Sequence, residues 1–178
     1  MTSELTPKDY LRLLEERVAG LRSLARGDRS LPIVPARSGE AWLVRRSDSY
    51  GDPGLFGNSP VAHKSFALAK GGDLDLFLRV RKNGEGRAEV ASYRIAVHRL
   101  PSNGNNLVCL RFDKSQGQPR RDGWDEVLGD NPQHPWGHLH LNFDASQAAN
   151  DLRLPTGEVD PIILLASFDH WYCSAYDV

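Results

Sequence analysis

The strongest constraint on this chain is the run Leu74-Asp75-Leu76-Phe77-Leu78-Arg79-Val80-Arg81, followed almost at once by Asn83-Gly84. Alternation of this kind has the two-residue period of a strand with one buried face. Asn-Gly tolerates the left-handed backbone of a tight hairpin turn better than almost any other pair. A strand that turns back on itself is therefore predicted, with residues 87–100 as the returning partner. A second pair, Asn103-Gly104, predicts another turn and a third strand over residues 106–114.

If both turns close tightly, Leu74, Leu76 and Leu78 share a face with Ala91, Tyr93, Ile95, Val97, Leu110 and Phe112. That face is the expected core. The opposite face collects Arg94, Ala96, His98, Cys109, Arg111 and Asp113, with Arg94 across from Asp113 and His98 across from Cys109. A one-residue slip in either turn would exchange the faces and put the large apolar side chains in water.

The flanks complete an α+β reading. Thr6, Pro7 and Asp9 open a helix that the apolar spacing of Tyr10, Leu14, Val18, Leu21 and Leu24 carries over residues 6–26. Residues 29–39, with Pro32 and Pro35, are expected to cross the surface without regular structure, and residues 41–45 to form a strand. Residues 47–63, with Tyr50 and Phe56, and 115–135, with Arg120, Arg121 and Trp124, read as long loops. Residues 144–157 read as a polar connection containing Pro155, and Asp160-Pro161 starts a final helix over residues 160–174. The expectation is a single domain over residues 1–178. It has an antiparallel meander of about five strands within residues 41–143, both helices packed on one face, and the other face open.

Composition narrows the classes. With 40% hydrophobic and 25% charged residues the chain is of globular type. Lys plus Arg total 22 against 23 Asp plus Glu, so global charge argues for neither a nucleic-acid nor a membrane partner. Two cysteines, Cys109 and Cys173, make no disulfide framework, and the N-terminus lacks a secretory signal pattern. A cytoplasmic protein with no membrane partner is expected. There is no Walker loop, nucleophile elbow or CxxC pair, and no cofactor is expected.

The chemistry gathers around Trp136-Gly137-His138-Leu139-His140-Leu141-Asn142-Phe143. On a strand, His138, His140 and Asn142 fall on one side and Leu139, Leu141 and Phe143 on the other. With the leucines in the core, His138 and His140 join Arg94, His98, Arg111 and Asp113 on the uncovered face, with His134 nearby. Histidine exchanges protons near neutral pH and arginine stabilises phosphate charge. That set suits RNA cleavage through the 2′-hydroxyl without a metal. Two other readings stand beside it: a metal held by His138, His140 and a carboxylate such as Asp113, and a solvated or partner-binding surface.

Ser92-Tyr93-Arg94, Leu110-Arg111-Phe112-Asp113 and His134-Pro135-Trp136-Gly137-His138-Leu139-His140 together resemble the layout of TumE-like bacterial toxins over residues 90–143. The chain differs in its longer N-terminal part, in Lys114 where the family tends to carry Asn, and in the spacing from Asp113 to the histidines. The resemblance implies Arg111, Asp113, His138 and His140 as functional positions, RNA or a translation component as target, and a helix-turn-helix antitoxin as partner. The alternative is a non-enzymatic subunit of a larger bacterial assembly, in a defence or mobile-element system, that binds protein or nucleic acid through the same face.

Overall fold

The computed structural model describes residues 4–35, 41–46, 64–101, 109–114, 137–142, 152–157 and 159–178. At several strand positions, His138 and His140 among them, what it describes is strand and register. The loop expectations at 47–63 and 115–135, with Tyr50, Phe56, Arg120, Arg121 and Trp124, lie outside those residues. So do the Asn103-Gly104 turn, His134 and Trp136.

Helix α1 spans Pro7–Ala19 and α2 spans Pro161–Tyr176. The strands are β1 Ile33–Pro35, β2 Ala41–Arg46, β3 Phe66–Ala67, β4 Asp73–Lys82, β5 Ala88–His98, β6 Cys109–Lys114, β7 Gly137–Asn142 and β8 Leu152–Pro155. All pairings are antiparallel, in the order β1-β2-β4-β5-β6-β7-β8, with β3 also on β4. The architecture is α+β, as expected, with a wider sheet than the sequence suggested. Residues 33–35 and 152–155 were expected to be irregular but form the two outermost strands. Each ends in a proline, Pro35 and Pro155, and an outer strand tolerates a missing backbone donor.

One face of the sheet carries the core. Leu74, Leu76, Leu78, Val80, Tyr93, Ile95 and Val97 pack with Tyr10, Leu14 and Val18 of α1 and Leu165, Phe168 and Tyr172 of α2. The expected facing of the two strands survives, but not the expected register. Lys82 pairs with Ala88, so residues 83–87 form the connection, and the positive φ falls at Gly86 rather than Gly84. Asn83 organises this turn by accepting from the amides of Glu85 and Arg87 at 3.0 and 2.8 Å. The turn is three residues longer than an Asn-Gly pair, and a bulge between Arg79 and Val80 leaves Ala91 as one extra residue. Together these shift the pairing by an even number, so the faces are retained beyond the bulge. Ala91 leaves the core face, and Val90 and Ala88 take its place.

Helix α1 ends at Ala19, seven residues before the expected end at residue 26. Leu21 and Leu24 are still buried, but in a turned segment held by Arg29, which donates to the carbonyls of Ala19, Leu21 and Leu24. Apolar spacing does not distinguish a helix from a turn that buries the same side chains. Asp160 caps α2 by accepting from the Ile162 amide at 2.8 Å and also accepts the Tyr10 hydroxyl at 3.2 Å. Burial, followed by the Asp160 charge, pushes the Tyr10 phenol well above its ordinary pKa, which keeps it a neutral donor. Among the described residues no helix is long and apolar enough to cross a membrane.

Two tyrosine hydroxyls fasten α2 to the sheet. Tyr172 donates to the Gly71 carbonyl at 2.9 Å and accepts from the Lys70 amide at 3.1 Å, and Tyr176 donates to the Pro101 carbonyl at 3.1 Å. Tyr172→Phe keeps the buried ring and loses both bonds, so a loss of about 1–2 kcal/mol is expected. A lower urea midpoint with an unchanged m-value would show it. Tyr176→Phe should cost less.

Candidate functional site

The candidate site begins at the turn before β4. Gly71 and Gly72 adopt φ of +105° and +95°, a region L side chains rarely enter. A Cβ on Gly72 would stand 3.0 Å from the His98 carbonyl and 3.3 Å from that of Arg99. The two chains therefore meet backbone to backbone at the end of β5. Tyr172 holds this turn from the helix side. Arg99, itself at φ 54°, donates from Nε and Nη2 to Asp73 Oδ2, both at 2.6 Å. The result is a rigid seat for His98.

Register then lays out the rest. Asp73 pairs with His98, and His98 with Cys109, which in turn pairs with Asn142. In the next row Asp75 pairs with Ala96, then Arg111, His140 and Arg153. In the third, Phe77 pairs with Arg94, then Asp113, His138 and Pro155. The expected pairs Arg94–Asp113 and His98–Cys109 are both present, the register a two-residue Asn103-Gly104 turn would impose. The rows lie two residues apart along each strand, so by strand alternation their positions belong to one face of the sheet. His138 and His140 enter this face as cross-strand neighbours of Asp113 and Arg111. Arg94 and Arg111 are each half-buried.

This face is not open across its whole width, as it was expected to be. Asp75, Phe77, Ser92 and Ala96 are all buried on it. Phe77 carries the Arg45 guanidinium 5.6 Å from its ring centre, a cation–π contact that uses the arginine's weak hydration. Alternation had assigned Phe77 to the wet side, but an aromatic ring of that size is buried wherever a neighbour can cover it.

Two side chains that the sequence did not single out belong to the site. Asp75 has a side chain only 3% exposed, and His98 Nε2 lies 3.2 Å from its Oδ2, with the imidazole 38% exposed. Ser65 donates a hydroxyl hydrogen bond to the other carboxylate oxygen. A carboxylate this buried needs donors, and here an imidazole supplies one. Asp75 was legible only as one more residue on the alternating polar side. Ser65 gave no signal. Arg153, brought into the row of His140, could have been found from the alternation Leu152-Arg153-Leu154.

A separate surface cavity of about 360 Å³ lies beside α2, lined by Arg22, Asp169, His170, Cys173 and Val178 among others. It lacks the poise of a nucleophilic site. Burial and the neighbouring Asp169 push the Cys173 thiol above its ordinary pKa, whereas a reactive thiol needs the reverse. Asp169 accepts from the Ser23 amide at 2.7 Å and ties the turn after α1 to α2. Among the described residues no three His, Cys, Asp or Glu side chains converge as metal ligands.

Compared with protein-family models, curated proteins and solved structures, the chain matches none.

The glycine seat gives a direct test. Gly72→Ala combines a forbidden φ with a close backbone approach, so about 1–3 kcal/mol of stability should be lost and the His98 side-chain resonances should move. Gly84→Ala meets nothing within 4 Å. It should stay within about 0.5 kcal/mol of the parent and leave His98 unmoved. Thermal unfolding and imidazole NMR on both variants decide the point.

Proposed function

We propose that this protein acts on RNA, cleaving it through its own 2′-hydroxyl without a metal, on the face that carries Arg94, His98, Arg111, Asp113, His138 and His140. The observation that carries the reading is the register of β6, with Arg111 beside His140 and Asp113 between Arg94 and His138. Cleavage of this type needs a base for the 2′-hydroxyl proton, an acid for the departing 5′-oxygen and positive charge for the phosphorane-like transition state. Imidazoles fill the first two needs and guanidiniums the third. Asp113 would orient Arg94 or His138. RNA fits better than DNA because the attacking hydroxyl belongs to the substrate. A net charge of −1 means that attraction for the phosphate backbone must be local to this face.

The likeness of residues 90–143 to TumE-like toxins adds a setting: a bacterial toxin of this activity, held in check by a helix-turn-helix antitoxin. The burial of Phe77, Ser92 and Ala96 favours the second reading, a binding subunit, only on the β4 and β5 side of the face. The half-exposed imidazole of His98 faces the same way and favours chemistry.

The test is cleavage of single-stranded RNA by purified protein in excess EDTA. Activity should persist with the chelator, fall about 10²–10⁴-fold in His140→Ala and fall less in His138→Ala, each with an unchanged melting temperature. A 2′-deoxy substrate should not be cut. Loss of activity in EDTA, or equal cutting of DNA, would end this reading. Co-purification with a partner that the same variants abolish, without any cleavage, would favour the binding subunit.

A further inference from the structure

We infer that Asp75 and His98 form an acid–base dyad, in which Asp75 is the positioning residue and His98 the group that takes the 2′-hydroxyl proton; the inference rests on the RNA-cleaving role proposed above. Three observations point the same way. The Asp75 carboxylate is buried and held on one oxygen by Ser65 and on the other by His98 Nε2 at 3.2 Å. The imidazole it holds is 38% exposed, so the dyad runs from the interior to the surface. The backbone of His98 is fixed by the Gly72 approach and by the Arg99–Asp73 pair. A base oriented by a buried third group, itself braced, is the arrangement that general-base chemistry requires.

Register supplies the rest of the geometry. His98 lies on β5 and His140 on β7, with Arg111 on the intervening β6 in the row of His140. Neighbouring strands are about 4.8 Å apart and His140 stands one row further along, so the two histidine positions are about 12 Å apart across the sheet, with the arginine position on the strand between them, beside His140 and diagonal to His98. Long side chains span such a gap around a single phosphodiester. In the step, His98 accepts the proton of the 2′-hydroxyl while O2′ bonds to phosphorus. The P–O5′ bond breaks and O5′ takes its proton from protonated His140. The products are a 2′,3′-cyclic phosphate and a 5′-hydroxyl end, and Arg111 stabilises the charge on the non-bridging oxygens in between.

The charged and titratable neighbours of His98 are mixed. Asp73 and Asp75 face it from β4, Arg99 follows it in the chain, and Cys109 and Arg111 stand across and diagonally on β6. The Arg99 pair compensates Asp73, so Asp75 is the anion that most directly favours the protonated imidazole.

The test uses the whole chain with Asp75→Asn and His98→Gln. By ¹⁵N-detected NMR, the His98 imidazole should titrate at lower pH in Asp75→Asn than in the parent, while His170 on α2 is unchanged. In cleavage of a short RNA, Asp75→Asn should lower kcat about 10²-fold with KM little altered, and the acid limb of the kcat/KM profile should move to lower pH. His98→Gln keeps a donor to Asp75 but cannot accept a proton. It should bind RNA as the parent does and lose cleavage, which keeps the proposal testable if Asp75→Asn fails to fold. An unmoved His98 titration in folded Asp75→Asn, or full cleavage by His98→Gln, would overturn the dyad. A parent protein that cuts no RNA would overturn the substrate reading instead, and the NMR titration would still decide whether Asp75 controls His98.

Discussion

The structure depends first on the pairing of β4 with β5. These two strands supply most of the buried face on which both helices rest, and Leu74, Leu76, Leu78, Tyr93, Ile95 and Val97 are each at most 2% exposed. Burying one such side chain contributes about 1.5–3 kcal/mol. Turning the faces over would forfeit several of these together, whereas a preferred turn type is worth far less. The chain therefore accepts a longer turn at 83–87 and a bulge at Ala91, two irregularities whose effects on the pairing add to an even shift. Facing is conserved because burial is strong, and the turn adapts because its preference is weak.

Burial alone would leave the helices free to slide, and hydroxyl groups remove that freedom. Tyr10 joins α1 to the cap of α2 through Asp160, Tyr172 joins α2 to the turn at Lys70 and Gly71, and Tyr176 joins it to Pro101. Each bond nets about 1 kcal/mol, small beside the apolar contribution, but each is directional. The Tyr172 contact also reaches the candidate face, because the turn it holds is the one packed against the His98 backbone. The core and the site are thus joined through a single turn.

Two buried charges show the difference between scaffold and chemistry. Arg46, 5% exposed, lies 4.4 Å over the Phe66 ring and donates to Asp28 at 2.8 Å. Ser30, with its hydroxyl and its amide, and then Arg46 hold the Asp28 carboxyl well below the usual carboxylate range. That pair joins the segment after α1 to the end of β2. Asp75 is buried in the same degree, but its partner His98 is an imidazole whose side chain reaches solvent.

By itself the sequence determined the class of the fold, the two capped helices and the facing of the central strands. Each rests on short-range physics: the alternation of residues 74–81, the Asp160-Pro161 cap and the apolar cost of slipping the strands. It also determined that Arg94 would oppose Asp113 and that His138 and His140 would share a face with Arg111, because strand parity is a local property. Only the tertiary structure decided the rest. Helix α1 stops at Ala19, where Gly20 caps it and Arg29 takes the Ala19 carbonyl and those of the turned segment beyond. Residues 33–35 and 152–155 become strands because long-range neighbours present a free edge, which no local composition announces. Asp75 meets both Ser65 and His98 because the longer turn and the bulge decide which residues of β4 and β5 stand together, and a side chain's partners, unlike its facing, depend on the whole packed sheet.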